Sequence, residues 1–420
     1  MIAPSARLCK LVAAALFGAS LGGCVVAGID LDALRQIPGQ PAPGQGMAAG
    51  NSMGAAMPMP DPAGPALTTP AAGSAAPSEI IGRGPVRVAL LLPLSGDANL
   101  SQAGRSMANG ARLAMSFIEA SPNIADNITV VLRDTGTAPD GGARQAQAAL
   151  ADGVSLVLGP MLGSQLPAAS QVTRNAGIPM ISFASNGALA GPGVYLLSVL
   201  PEMETRRVLA YARAQGKSRI AGLFPAGNLG AAQKQAFEQG MGEQGFAMSA
   251  SLGFADDAQL RAAIQTLAQA RFDALYLPDR ASAPKILAAL KSAGVKPGLV
   301  LGSSQWQGAN DLFADSAFAG AVFPSVDDKG LRALAPEYRA KFGGEPHPLA
   351  TISYTAVILV NNSRLSLTNP RYDRNVLTNP SGFAGSDGVF RFLADGRSQY
   401  ALVIKRIGAG SASIVDAAKL

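Results

Sequence analysis

Few side chains in this sequence have the types and spacing that catalysis or metal binding requires. The single histidine, His347, lies between two prolines and has no partner for a metal site or a Ser–His–Asp arrangement. Residues 385–388 (Gly-Ser-Asp-Gly) are one residue short of a nucleophile elbow and predict a turn. Residues 216–218 (Gly-Lys-Ser) follow a helical pattern, so they predict a helix C-cap instead of a phosphate loop. The sequence therefore predicts no enzyme, no cofactor and no metal site.

Ligand binding is better supported, because several predicted strands end in short polar segments rich in glycine. These segments are 94–96, 134–136, 159–164, 183–186, 225–228 and 302–305. Open parallel sheets bind ligands beyond the carboxyl ends of their strands. Several of the segments also precede helices, whose N-terminal N–H groups and positive dipole ends favour a carboxylate. The pattern predicts a site for an anionic or zwitterionic small molecule.

Two alternating patterns position these segments. Apolar runs predict strands at 86–93, 128–133, 154–159, 179–183, 219–224, 273–278 and 298–302. Alanine-rich stretches between them predict helices at 104–119, 141–152, 165–176, 202–215, 229–244, 259–270 and 283–293. Continuous apolar strands separated by helices indicate parallel sheets covered on both faces, so the fold class is α/β. About 325 residues exceed what one core usually holds, so we expect two lobes.

The N-terminus has the layout of a secretory signal. Basic residues within the first ten are followed by an apolar run at 11–21 that ends in Leu21-Gly22-Gly23-Cys24. This run is about half of the roughly 20 residues that a membrane-spanning helix needs. We expect residues 1–23 to be removed and Cys24 to carry lipid. The alternative is an ordinary cysteine in a signal that is cleaved elsewhere. Because Cys9 lies in the removed segment, we expect no disulfide in the folded domain.

We expect residues 24–84 to form the lipid anchor and a disordered linker. From residue 38 to 84 the composition is mainly Pro, Gly, Ala, Met and Ser, without helical or strand periodicity. Such a flexible chain would hold a domain roughly 40 Å from its anchor. Val25 after the cysteine resembles the pattern that sorts bacterial lipoproteins to the outer membrane, with the inner membrane as the alternative.

Charge argues against nucleic acid as a partner. The formal net charge is +6, but lysines and arginines are scattered along the chain. No basic stripe is interleaved with aromatic residues, as nucleic-acid binding favours.

Several motifs in order resemble the leucine/isoleucine/valine-binding family of periplasmic proteins. They are Leu92-Pro93-Leu94-Ser95-Gly96 before the helix at 104–114, Asp134-Thr135-Gly136, Leu158-Gly159-Pro160, and residues 176–182 (Ala-Gly-Ile-Pro-Met-Ile-Ser). The resemblance covers residues 86 to about 405 of a folded domain at 85–410. It implies the type I periplasmic binding fold, in which three crossings join two lobes. Lobe 1 would hold 86–200 and about 325–368, and lobe 2 would hold 201–324 and 369–410.

The resemblance also implies which residues of lobe 1 hold a ligand. In relatives that bind amino acids, the loops after the Gly-Pro and Pro-x-Ile-Ser motifs supply hydroxyl and N–H groups to the ligand carboxylate. The residues in those places here are Ser164, Gln165, Ala184 and Ser185. Ser95 joins them from the first polar segment. An alternative for Ser164 and Ser185 is helix capping, which serine performs routinely.

Lobe 2 carries a weaker ligand signature. The family often places an aromatic residue and an acid in its loops, whereas this chain has Asn228 and Ser304 at the corresponding strand ends. Asp279 is the nearest counter-ion for a ligand amine, with helix N-capping as the alternative. Trp306 either closes over a ligand or packs in the lobe. The missing acid argues against a standard amino acid, because an unpaired buried ammonium is costly.

Two functions remain open from the sequence. The first is a lipid-anchored periplasmic receptor that delivers an amino-acid-like solute to the permease of an ABC transporter. The second is a regulator similar to the penicillin-binding protein activators, whose partner is a peptidoglycan synthase.

Overall fold

The computed structural model describes residues 78–420. The predicted signal, Cys24 and nearly all of the predicted linker lie outside these residues, so they stay predictions. Within residues 78–420, no helix has both the length and the apolar character that crossing a bilayer requires.

The first lobe is built on a six-stranded sheet with the order β1-β3-β2-β4-β5-β6. Its strands are β1 (Glu79–Ile81), β2 (Val86–Leu92), β3 (Ile128–Asp134), β4 (Leu156–Leu158), β5 (Met180–Ser182) and β6 (Val194–Leu196). All pairs are parallel except β1–β3. The helices between the strands are α1 (Ala98–Ala120), α2 (Gly141–Ala151) and α3 (Leu166–Asn175). The apolar side chains of β2 are buried on both faces, as a covered parallel sheet requires.

The second lobe is built on a seven-stranded sheet with the order β16-β15-β11-β10-β9-β7-β8. Its strands are β7 (Arg219–Pro225), β8 (Ala247–Phe254), β9 (Ala274–Tyr276), β10 (Val300–Leu301), β11 (Val322–Ser325), β15 (Leu402–Ile407) and β16 (Ala412–Lys419). Its helices are α4 (Pro201–Ala214), α5 (Asn228–Glu243), α6 (Asp257–Gln269), α7 (Ala283–Ser292) and α8 (Asn310–Ala314). The β15 and β16 strands add an antiparallel edge to an otherwise parallel sheet.

The segment between β11 and β15 of the second sheet returns to the first lobe. It contains α9 (Lys329–Phe342), α10 (Ala350–Asn361), α11 (Ser363–Ser366), α12 (Arg374–Leu377) and a small antiparallel sheet of β12 (Phe383–Gly385), β13 (Gly388–Phe392) and β14 (Ser398–Tyr400). Phe390, Phe392 and Tyr400 share the core of β2 and α1. The ring centroids of Phe392 and Tyr195, which is on β6, are 5.4 Å apart. The chain therefore remains in lobe 1 up to residue 400, and the lobe boundary predicted at residue 369 needs correction.

The chain passes between the lobes three times. The crossings lie between β6 and α4, between β11 and α9, and between β14 and β15. The third crossing is a single residue, Ala401. The α/β class, the two lobes and the three crossings are as the sequence predicts.

Candidate functional site

Loops from both lobes enclose one cleft of about 280 Å³. Small-molecule sites occupy roughly 300–1,000 Å³, so the volume of this cleft is just below that range. Lobe 1 contributes the loops after β4 and β5, lobe 2 contributes the start of α5, and Pro201 lies at the crossing between them. The lining residues are Leu162, Gly163, Ser164, Ser185, Asn186, Leu189, Pro201, Asn228, Leu229 and Ala232.

The two loops of lobe 1 meet because β4 and β5 are adjacent parallel strands that end at the same edge of the sheet. Gly159, after β4, has φ +88°, and a Cβ there would lie 2.2 Å from the Leu91 carbonyl oxygen, so only glycine fits. The Ser182 hydroxyl donates to the Pro160 carbonyl at 2.9 Å and accepts from the Ala184 N–H at 3.1 Å. Ser182, whose role the sequence pattern does not indicate, thereby fixes both loops.

Ser164 and Ser185 bring hydroxyl groups to the cleft. Ser164 is exposed and Ser185 is half-buried, and no protein group among residues 78–420 hydrogen-bonds to either hydroxyl. Ser164 lies just before α3, and Asn228 is the first residue of α5, so two helix N-termini open beside the cleft. Hydroxyl donors and helix N-termini together stabilise a carboxylate. The arrangement can bind a small anionic group and shows no catalytic constellation.

A family model described as periplasmic binding protein matches residues 85–362, well over half of the chain. The chain belongs to the periplasmic binding protein family. Membership implies a periplasmic location and the binding of solutes, and it confirms the prediction that the protein is not an enzyme. Among curated proteins, none matches this sequence.

Solved structures confirm the type I fold of this periplasmic binding protein and its predicted resemblance to leucine-binding proteins. The leucine-binding protein LivK of Thermotoga maritima is 18% identical with a TM-score of 0.57, and the match covers 80% of this chain and 99% of that chain. A putative branched-chain amino acid ABC transporter protein of Rhodospirillum rubrum is 21% identical with a TM-score of 0.69, covering 79% and 99%. A solute-binding protein of Rhodopseudomonas palustris in complex with benzoate is 18% identical with a TM-score of 0.56, and the match covers 80% of this chain and 98% of that chain.

Of the eight ligand residues predicted for this binding protein, the structure brings Ser164, Ser185 and Asn228 together at the cleft. Ser95 is tied to Asp134 instead, whose carboxylate accepts the backbone N–H of Leu94, Ser95 and Gly136 at 2.8, 3.2 and 2.8 Å. Burial opposes ionisation of Asp134, but the hydrogen bonds from Ser95 and the backbone outweigh it and lower its pKa. Ser95 and Asp134 therefore organise the loops after β2 and β3.

Gln165 and Ala184 face the interior of lobe 1, which differs from their predicted role. The buried Gln165 amide donates to the carbonyls of Gly136 at 3.1 Å and Ala138 at 2.8 Å. The Ala184 N–H is already bonded to Ser182. Neither group points a free donor into the cleft, because both are used to hold neighbouring loops.

The predicted residues after β9 and β10 also serve lobe 2 internally. Asp279 accepts from the Ser282 N–H at 2.7 Å and from its hydroxyl at 2.5 Å, so it holds the turn that leads into α7. The Ser304 hydroxyl and N–H bond to the buried carboxylate of Glu204. Trp306 is fully buried, with its ring centroid 5.3 Å from that of Phe318, so packing is its role.

The side chains considered for chemistry are structural. Burial lowers the pKa of His347 to about 4, and its Nδ1 accepts the Leu349 N–H at 3.1 Å. Residues 385–388 form the tight turn between β12 and β13, with Gly385 opposite Gly388. Gly216 has φ +74° just after α4, as a helix C-cap requires. Within residues 78–420, no three His, Cys, Asp or Glu side chains gather as a metal site would need.

Proposed function

We propose that this protein is a receptor for a small solute, which it binds between its lobes and delivers to the permease of an ABC transporter. The observation that carries the proposal is the convergence of Ser164 and Ser185 from lobe 1 with Asn228 from lobe 2 in one cleft. The three residues come from distant parts of the chain, so a ligand that touches all of them joins the lobes. The solute is an amino-acid-type molecule with a carboxylate.

Ser164 and Ser185 are proposed to donate to the ligand carboxylate. Their hydroxyls face the cleft, and the N-terminus of α3 adds N–H groups and a favourable dipole. Asn228 then closes the site from lobe 2. The solved structures support this ligand class, since one is a leucine-binding protein and another is in complex with benzoate, and both ligands are carboxylates.

We further propose that the receptor is anchored in the periplasm by lipid on Cys24 and the linker at 24–84. The first described strand, β1, lies at the edge of the lobe 1 sheet, and the Arg112–Glu79 ion pair of 2.5 Å fastens it to α1. The linker would therefore pull on lobe 1 and leave lobe 2 unattached. An anchor in the inner membrane would hold the receptor in a thin layer above the permease, whereas an anchor in the outer membrane would require the linker to extend the receptor across the periplasm.

One observation favours the activator-like regulator as a second candidate. All ten residues that line the cleft are uncharged, so a free amino acid would find no counter-charge for its ammonium there. A regulator that contacts a peptidoglycan synthase through its surface needs no ligand in the cleft.

Thermal unfolding with a ligand panel tests the receptor. A ligand present at 100 times its Kd stabilises the folded state by about 2.7 kcal/mol, a clear rise in Tm. The panel is leucine, isoleucine, benzoate and trialanine, and the control is a Ser164→Ala/Ser185→Ala variant, which should lose the rise. If no member raises Tm, the receptor proposal fails. Co-purification of the full chain with a peptidoglycan synthase would then favour the regulator.

A further inference from the structure

The cleft continues past Pro201 into a second compartment of about 390 Å³. The two compartments share the lining residues Ser185, Asn186, Pro201 and Ala232. Three charged side chains line the second compartment: Glu202 from the first turn of α4, and Asp395 and Arg397 from the turn between β13 and β14. Two amides, Gln235 and Gln239, face it from α5. One compartment is therefore neutral and its neighbour is charged.

The second compartment carries a net negative charge. Arg397 is paired with Asp395, with Nη2 at 2.7 Å and Nε at 2.8 Å from its carboxylate, and lies 3.9 Å from Glu202. Burial opposes ionisation of Asp395, but the hydrogen bonds from Arg397 outweigh it and lower its pKa. One cation thus faces two carboxylates, which leaves one negative charge to attract a positively charged group.

Glu202 is the carboxylate with unused capacity. Its Oε2 is buried, and no group among residues 78–420 donates a hydrogen bond to it. A Cβ added at Gly187 would lie 2.3 Å from its Oε1, so glycine at 187 leaves the space that the carboxylate occupies. A buried acceptor without a donor costs free energy, so the charge of Glu202 is only partly compensated within the protein. Its side chain is 26% exposed and lines the second compartment, so a ligand ammonium there would add the missing counter-charge.

We propose that the ligand is an elongated zwitterion of the short-peptide class, with its carboxylate in the first compartment and its ammonium against Glu202 in the second. This inference rests on the proposed receptor function. An α-amino acid carries both charges on one carbon, so with its carboxylate at Ser164 and Ser185 its ammonium would remain among uncharged residues. A peptide separates the two charges by several bonds, which lets each one reach the compartment that suits it.

Titration calorimetry on the full chain tests the separation of charges. The probes are trialanine, N-acetyl-trialanine, which lacks the ammonium, and leucine. We expect trialanine to bind at least about tenfold more tightly than either of the others, a difference of about 1.4 kcal/mol. Leucine binding as tightly as trialanine would overturn the inference and leave the receptor function intact. If none of the three probes binds, the inference fails, and the receptor function fails with it only if isoleucine and benzoate also leave Tm unchanged.

Two variants test the position of the ammonium. Glu202→Gln removes the charge at constant shape, and Gly187→Ala displaces the same carboxylate without changing any charge. Each should weaken trialanine about tenfold or more and leave N-acetyl-trialanine unchanged. Glu119→Gln, at the exposed end of α1, is the matched control and should bind like the unmodified chain. Unchanged trialanine binding by Glu202→Gln would overturn the inference.

Discussion

The carboxyl group of Asp387 is buried in the turn between β12 and β13. The Thr355 hydroxyl on α10 lies 3.4 Å from its Oδ2, and no group among the described residues bonds its Oδ1. Burial raises the pKa of Asp387 to about 8, although hydrogen bonds from Thr351 and Thr355 act in the opposite direction. The acid is therefore largely protonated in the folded protein at neutral pH.

This pKa predicts that stability falls as the solution becomes more alkaline. The folded-state pKa lies above that of an unfolded aspartate, about 3.9. The contribution of Asp387 to the free energy of unfolding is thus complete below pH 4 and is lost as the pH rises to about 8. The free energy of unfolding falls by up to about 1.4 kcal/mol per pH unit in this range. Denaturant unfolding from pH 5 to 8 should show this slope, and Asp387→Asn should reduce it. An equal slope in the variant would contradict the assignment, and Asp257→Asn, at an exposed position, is the control.

Individual site residues differ in how far the sequence could predict them. Ser164, Ser185 and Asn228 could be found because position after a strand is a matter of chain order. Gln165 could not be excluded, because its side-chain direction depends on carbonyls of a loop nearly 30 residues away. The role of Ser182 could not be predicted, because a serine within a buried strand fits the same sequence pattern whether or not its hydroxyl joins two loops.

Arg207 shows how one side chain holds an element. It is buried on α4, and its guanidinium donates to the Leu402 carbonyl at 2.7 Å, to Asp416 at 2.8 Å and to the Ala417 carbonyl at 2.9 Å. These bonds tie the edge strand β16 to the helix. Because β16 is otherwise mostly exposed and pairs with β15 alone, it depends on this anchor.

Replacing Arg207 with alanine should release β16. We expect the free energy of unfolding to drop by about 1–3 kcal/mol, because two backbone carbonyls and a carboxylate lose a charged donor. Amide hydrogen exchange should accelerate at 412–419 and remain slow in β7 and β9. Arg206→Ala removes a neighbouring exposed arginine paired with Glu243 at 3.0 Å, and should cost about 0–1 kcal/mol. Equal losses in the two variants would argue against an anchoring role.

Strands could be predicted from the sequence where continuous apolar runs alternate with helical stretches. The seven predicted strands match β2, β3, β4, β5, β7, β9 and β10 to within two residues, since continuous apolar runs mark buried parallel strands. The strands of the small third sheet left no such runs. Their place in lobe 1 depends on contacts such as the stacking of Phe390 on Tyr400 at 5.3 Å, which sequence periodicity does not encode.

At the scale of the whole molecule, the two lobes have separate hydrophobic cores. One contains Val88, Leu90 and Phe390, and the other contains Leu275, Trp306 and Phe323. A ligand in the cleft touches the rim of both. Binding should therefore act on two otherwise independent units at once.

Hydrogen exchange with and without ligand measures this coupling. With trialanine bound, we expect slower exchange at 183–186 in lobe 1 and at 228–232 in lobe 2, because the ligand spans the lobes. The strand β1, at the edge of the first sheet and separated from β4 by β3 and β2, is the internal control and should not change. Protection confined to one lobe would contradict a ligand shared between them.

The crossing at Ala401 limits the motion that such a ligand can produce. One residue spans only about 3.8 Å and has two rotatable backbone bonds. Its N–H is bonded to the Val389 carbonyl at 2.9 Å, so its first end is fixed to the small sheet. We therefore expect the lobes to turn about an axis through this point, where displacement is smallest, with the widest travel at the loops most distant from it. In such a receptor, the angle between the lobes would tell the partner protein whether the cleft holds a ligand. The hydrophobic cores of the two lobes would remain unchanged.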